Sequence, residues 1–228
     1  MEKVLMKVRL ISYSKPHENI QAEGLESVQD LIAFCAKVSN PTAQINSETS
    51  ERLLNYLVKH QHWSPFEMVN VCLEIETTRD IAHQIVRHRS FSFQEFSQRY
   101  AEPKEMGQIF EYSEARLQDF RNRQNSIPTE NTELHHAWFE QQEKVTTAAS
   151  EAYAWAIDNG IAKEQARKVL PEGLTKTRLY MNGTIRSWIH YIDLRGANGT
   201  QKEHMEIAHA CAKVIAEIFP QIQNYTQG

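Results

Sequence analysis

Fourteen residues, Arg87-His88-Arg89-Ser90-Phe91-Ser92-Phe93-Gln94-Glu95-Phe96-Ser97-Gln98-Arg99-Tyr100, constrain this chain more than any other stretch. The segment before them, Thr77 to Val86, is predicted to be a helix. Thr77 or Thr78 supplies a cap, Asp80 suits the first turn, and Ile81, Ile85 and Val86 form an apolar stripe. Three side chains able to carry positive charge, Arg87, His88 and Arg89, then stand at that helix's C-terminal end. A single cation there would only complement the helix dipole, worth about 0.3–1 kcal/mol. The following segment asks for more. Read as a strand, it places Glu95, Ser97 and Arg99 on one face and Phe96, Gln98 and Tyr100 on the other. An acceptor, a hydroxyl and a planar guanidinium on one face are equipment for holding a polar anion. A surface strand would not need Phe91, Phe93 and Phe96 interleaved with them.

The size of that anion is bounded by composition. The formal net charge is −4, whereas a general nucleic-acid or membrane-surface binder is normally basic. The arginines are therefore a local positive site, suited to a small ligand more than to a polymer. No apolar run approaches the roughly 18 residues of a membrane span, and Met1 to Leu10 alternates charged with apolar residues, unlike a signal peptide. With Cys35, Cys72 and Cys211 odd in number and far apart, the chain reads as a cytoplasmic protein with three reduced thiols. Its 228 residues suffice for one well-cored domain spanning 1–228. No G-x-G-x-x-G or phosphate-binding loop is present, and Gly196-Ala197-Asn198-Gly199 lacks the Lys-Ser/Thr ending. A dinucleotide must then be held by side chains and helix ends.

Taken in order, Val4, Met6, Val8 and Leu10 alternate as a first strand. Helices follow over 27–38, with Leu31, Ile32, Cys35 and Val38 inward, and over 49–60, with Leu53, Leu54, Leu57 and Val58. A strand runs from Val69 to Glu76. Residues 101–131 are polar and aperiodic and read as a surface excursion with a short helical piece near Leu117 and Phe120. A long helix spans 133–158, and its Trp138, Val145, Ala149, Ala152 and Trp155 suggest core or subunit contact. A short helix over 162–170 stops at Pro171. Thr175 to Met181 is a strand, Asn182-Gly183-Thr184 a turn that caps a helix over 185–195, and Thr200 to Glu203 a capping box for a last helix through Ile218. Arg186 and His190 share a helix face, while Arg195 lies about half a turn away from Arg186. His204 and His209 read as structural. His60-Gln61-His62 has no third ligand at metal spacing, so no metal is assigned.

Arg-His-Arg followed by seven residues and Ser97-Gln98-Arg99-Tyr100 resembles the signature of the flavin-dependent thymidylate synthases. The similarity runs from about His60 to Arg99 and resumes from Ala166 to about Glu206. It implies an α+β fold, with a mixed or antiparallel sheet packed with several helices in a single compact domain. It further implies a homotetramer whose active sites are shared between subunits. It also implies conversion of dUMP to dTMP with 5,10-methylenetetrahydrofolate as carbon donor, FAD as cofactor and NADPH as reductant. By the resemblance, Arg87, His88 and Arg89 hold the flavin's pyrophosphate and adenosine side, and Thr184, Arg186 and His190 contact flavin. The family often carries Asn where Thr184 and His190 stand here. His62 approaches flavin or folate, and Ser64 bonds a cofactor phosphate. Gln84 and Arg87 reach the nucleotide across a subunit boundary. Glu95, Ser97, Gln98 and Arg99 line the deoxyuridylate pocket, Glu95 being assigned to the cofactor as well. Arg99 and a neighbouring subunit's Arg167 meet the phosphate, and Arg195 polarises the uracil ring.

None of the three cysteines lies in the signature, so no thiol nucleophile is expected. Activation of the uracil would be electrostatic, through Arg195. Ser97 is a nucleophile only if Glu95 serves as its base; the preferred role is a hydrogen-bond donor that orients dUMP. A non-catalytic nucleotide or anion sensor and an RNA-binding protein are the competing readings, the latter opposed by the net charge.

Overall fold

Two nine-residue strands, β2 (Asn70–Thr78) and β6 (Lys176–Thr184), pair antiparallel along their whole length, from Asn70 opposite Thr184 to Thr78 opposite Lys176. The computed structural model describes residues 8–226. Around that central pair the chain runs β1 (Val8–Tyr13), α1 (Glu18–Gln21), α2 (Val28–Ala36), α3 (Ser50–Lys59), β2 and α4 (Arg79–Ile85). It continues as β3 (Ser92–Glu95), β4 (Arg116–Gln118), β5 (Ser126–Pro128), α5 (Thr132–Asp158) and α6 (Lys163–Ala166). The chain closes with β6, α7 (Ile185–Gly196), α8 (Lys202–Ala216) and α9 (Ile222–Tyr225). The main sheet has the order β1-β2-β6-β3, each neighbouring pair antiparallel. The α+β expectation with an antiparallel sheet holds.

Alternation decides which face of that sheet is covered. Val71, Leu73 and Ile75 of β2 and Leu179 and Met181 of β6 are fully buried with Ile32, Leu54, Trp188, Ile192, Ile207 and Ile215 of the helices. The other face carries a charge ladder in which Arg9 Nη2 donates to Glu74 at 3.0 Å and Arg178 Nε donates to Glu76 at 3.0 Å. Each long strand runs without a loop into a helix, β2 into α4 and β6 into α7. Because the strands are antiparallel, the two helices set off from opposite ends of the sheet.

Several local expectations need correction. Val4 and Met6 lie outside the described residues, while Val8 and Leu10 do belong to β1. In α2 the buried positions are Val28, Ile32 and Ala33, and Val38 falls beyond the helix at 68% exposure, so the inward stripe sits one turn earlier than read. Asn182-Gly183-Thr184 is not a turn: the residues extend β6, where Asn182 pairs with both Cys72 and Ser92. Gly183 is there because a Cβ at that position would overlap the Phe91 ring, so the two chains can approach only over glycine. The helical piece near Leu117 and Phe120 is instead the hairpin β4–β5. No capping box opens α8: Gln201 is the N-cap residue without a side-chain cap bond, and Glu203 is drawn into an ion pair with Arg116 at 2.5 Å. The helix ends at Ala216. In α5 the buried face is Gln142, Thr146, Ala149, Tyr153 and Ala156, so of the expected contacts only Ala149 is core; Trp138, Val145, Ala152 and Trp155 face outward in this chain.

Candidate active site

The cationic turn is built from the inside. Ile81, Ala82 and Ile85 bury one side of α4, and the helix begins at N-cap Thr78, whose hydroxyl donates to Asp80 at 2.5 Å instead of capping the helix. After Ile85 the chain turns, with His88 N–H donating to the Ile85 carbonyl at 3.1 Å and Phe91 N–H to the His88 carbonyl at 3.3 Å. Phe91 then enters the core, its ring 4.8 Å from that of Trp188 and 5.9 Å from that of Tyr191. With Phe91 and His88 pointing in, Arg87 and Arg89 point out. Both are exposed, and neither has a hydrogen bond or ion pair from its side chain among the described residues. Two guanidinium groups two residues apart on one turn, uncompensated among the described residues, are donors of the kind a pyrophosphate requires, so these residues fit the phosphates of a dinucleotide.

His88 departs from the expectation of a third cation. Its ring is half-buried and turned toward α7, where Arg195 Nε donates to His88 Nε2 at 2.9 Å. The contact shows how the fold assembles the site: α4 and α7 leave from opposite ends of the sheet, yet their C-terminal ends meet. Burial, and then the nearby Arg195 charge, hold His88 down at a pKa of about 4, so the ring is neutral at neutral pH and accepts at Nε2. Behind it a second layer follows, in which Tyr191 and His204 are fully buried and Gln84 and Gln201 half-buried. Gln84 Nε2 donates to Gln201 Oε1 at 2.8 Å, which leaves Gln84 Oε1 as acceptor for His204 Nδ1–H at 3.2 Å. His204 Nε2 is then free to accept the Tyr191 hydroxyl proton at 3.1 Å. Burial keeps His204 neutral, at about 3, and pushes the Tyr191 phenol well up. Gln84, expected to reach a nucleotide, is engaged in this network within the chain.

The strand expected through Arg99 ends at Glu95. Phe96 N–H still reaches the Arg178 carbonyl at 2.8 Å, after which the Ser97 carbonyl accepts from the N–H groups of Tyr100 at 3.1 Å and Ala101 at 3.2 Å. Residues 97–101 are therefore a turn, and Glu95, Ser97 and Arg99 do not share one strand face as expected. Glu95 Oε1 accepts from Thr177 Oγ1 at 2.9 Å and Arg79 Nη1 at 3.3 Å. No hydrogen bond joins it to Ser97 among the described residues. Gln98 is buried at 3% exposure with its Nε2 unpartnered. Arg99 is exposed, 3.9 Å from Glu164, and Lys163 Nζ donates to the Tyr100 carbonyl at 3.1 Å. The turn is thereby tied to the 163–169 segment that carries Arg167, half-buried and without a side-chain partner among the described residues.

A third group lies at the start of α7. Thr184 is the N-cap, its hydroxyl accepting from Ser187 N–H at 3.2 Å, and Ser187 Oγ donates back to the Ser90 carbonyl at 3.2 Å. Arg186 forms an ion pair with Glu67. The His190 ring sits 4.7 Å from Trp63, bringing the exposed His62 and Ser64 alongside α7; burial and Arg186 lower the His190 pKa. The structure thus gathers Ser64, Arg87, His88, Arg89, Thr184, Arg186, His190 and Arg195 around α7. Arg99 and Arg167 form a separate group, and no hydrogen bond, ion pair or ring contact joins the two sets among the described residues. A shallow depression lined by Glu140, Glu143, Lys144 and Glu151 lies along α5 and holds none of the candidate residues.

The family model for the Thymidylate synthase complementing protein matches residues 22–221. This chain belongs to that family, the flavin-dependent thymidylate synthases. It is 49% identical over 218 residues to the flavin-dependent thymidylate synthase of Synechocystis sp., covering 95% of this chain and 97% of that one. A probable flavin-dependent thymidylate synthase of Paramecium bursaria Chlorella virus 1 is 48% identical over 217 residues, with the same coverage. Among solved structures, the UMP/dUMP methylase PolB of Streptomyces cacaoi, bound with 5-Br dUMP, shares the fold: its TM-score is 0.79 at 23% identity, over 96% of this chain and 93% of that one. Family membership separates the enzyme reading from the sensor and the RNA binder. What the sequence reading of this flavin-dependent thymidylate synthase missed is the supporting layer. His204 was assigned a structural place, as its position in the buried stripe His204, Ile207, Ala208, Cys211 and Ile215 of α8 bears out, but its tie through Tyr191 toward His88 needs contacts across 13 and more than 100 residues. The Glu67–Arg186 pair, 119 residues apart, left no local signal.

Proposed function

We propose that the chain, as one catalytic domain over 1–228 in the cytoplasm, converts dUMP, methylenetetrahydrofolate, NADPH and a proton to dTMP, tetrahydrofolate and NADP⁺. FAD is the cofactor of this enzyme class. When bound and reduced, it supplies the hydride that completes the methyl group. The observation that carries the reading is Arg195, whose Nε is taken by a neutral ring while its Nη groups have no partner among the described residues.

Uracil C5 is a poor nucleophile, and Arg195 primes it by charge. A fixed guanidinium at N3 or O2 favours the deprotonated ring, which raises electron density at C5. At about 4 Å and an effective dielectric near 20, the attraction is roughly 4 kcal/mol, or about three pK units on N3 before desolvation is subtracted. Arg suits the task because it stays charged in a dry site. Arg87 and Arg89 would hold the pyrophosphate and adenosine side of FAD, with His88 beside them and Ser64, Glu95, Thr184, Arg186 and His190 as its further contacts. Gln84, Glu95, Ser97 and Gln98 would line the dUMP site. Ser97 serves as a donor that orients dUMP, and Arg99 and Arg167 take its phosphate. His62 faces flavin or folate. Arg87, Arg89 and Arg99 are all exposed in one chain, and Arg99 and Arg167 stand apart from Arg195; a homotetramer with sites shared between subunits would bring them together. The purified protein should be yellow, bleach with NADPH, and form dTMP from dUMP and methylenetetrahydrofolate. A colourless protein that binds dUMP and forms no dTMP would overturn the proposal.

A further inference from the structure

At the end of α7 the side chain of Arg195 is held by an imidazole and not by a carboxylate. The difference has chemical consequences. A carboxylate would fix the guanidinium but cancel much of its charge, and would compete with the anion forming on the pyrimidine. A neutral nitrogen fixes one N–H, and with it the plane of the group, while leaving the full charge outward. The ring doing so is itself immobilised. Its edge packs against Tyr191 at 4.9 Å and 86° and against His204 at 6.2 Å and 89°. Tyr191 is pinned by its hydroxyl on His204, and His204 by Gln84, whose amide is fixed on Gln201 at the entrance to α8.

We propose that His88 is a positioning residue: its Nε2, backed by Tyr191, His204 and Gln84, takes the Nε–H of Arg195 so that both Nη groups stay aimed and uncompensated for the pyrimidine. This inference rests on the reaction proposed above, and assigns His88 to the substrate-activating arginine in place of a flavin anion contact. Arg87 and Arg89 face solvent on either side; His88, between them, is spent on Arg195 and has no charge to offer a phosphate.

The test measures kcat, KM for dUMP and flavin per subunit for the wild type, His88→Phe, His88→Gln and His88→Glu. Phe fills the space without an acceptor, Gln restores a neutral acceptor, and Glu an acceptor that compensates the charge. His88→Phe is expected to lose about ten-fold or more in kcat, with KM and flavin content within about two-fold. His88→Gln should recover most of the loss, and His88→Glu should not. A His88→Phe enzyme within about two-fold of wild-type kcat overturns the role. So does loss of flavin in step with activity that His88→Gln fails to reverse, which would return His88 to the cofactor. Should the Phe variant fail to fold, Gln against Glu decides: equal kcat overturns the role, and a clear advantage for Gln supports it. Wild-type protein that forms no dTMP overturns the reaction itself, and is thereby told apart from failure of this role alone.

Discussion

Arg195 reaches the end of α7 with one N–H engaged and no partner for its remaining donors among the described residues, so its removal should affect chemistry and leave folding largely alone. Arg195→Ala is expected to lower dTMP formation by at least about 100-fold, the scale seen when a donor to a developing anion is deleted, with flavin still bound. Turnover comparable to wild type would rule out a ring-polarising arginine. The three cysteines make the complementary case. Cys211 lies in the core, where burial drives its thiol far up, and burial also raises Cys35 and Cys72. None is a ready thiolate. A Cys35→Ser, Cys72→Ser, Cys211→Ala protein that folds should keep its turnover; a folded but inactive triple variant would bring back a thiol mechanism.

At the scale of elements, β6 carries the site. It pairs with β2 on one side and β3 on the other, and its last residue caps α7. Gly183 is where this crowding shows, because Phe91 occupies the space of its missing side chain. Gly183→Ala should push Phe91 off Trp188 and disturb the turn carrying Arg87 and Arg89. The expected cost is about 1–3 kcal/mol, visible as a melting temperature several degrees lower, together with weaker flavin retention. An unchanged melting curve would mean that the turn is not braced by Phe91. Residues 101–131, polar and aperiodic in sequence, held a hairpin that no periodicity announced, since strands of three residues are too short to show alternation.

For the molecule as a whole, the half-buried His88 and the fully buried His204 tie stability to pH. In an unfolded chain both rings take up protons as pH falls through about 6.5, while in the fold His88 resists until about 4 and His204 until about 3. Between those values the unfolded state binds more protons, so stability falls as the solution is acidified from about pH 6.5 toward 4. Urea midpoints measured across that window should drop, and His204→Gln should flatten the dependence; an identical slope in that variant would place the acid sensitivity elsewhere. Sharing of sites is testable at the same scale. If the proposed homotetramer forms, mixed oligomers of two variants, Arg167→Ala and Arg195→Ala, should regain a measurable part of the activity that each lacks alone, the two arginines then serving one site from different subunits. Mixtures as inactive as their components would confine the site to a single chain.

The local physics was legible in the residues themselves. Alternation gave β2, stripes gave α3 and α4, and the arginine signature gave the family, because each of these rests on neighbours within a few turns of chain. What only the tertiary structure decided was the direction of individual side chains. It turned His88 inward and made it neutral, ended β3 at Glu95, and joined Arg195 to a turn 107 residues earlier. Those outcomes depend on burial and on partners brought together by the sheet. Desolvation sets the charge of His88, the Phe91–Gly183 contact sets where its turn lies, and neither quantity exists until β6 has been laid between β2 and β3.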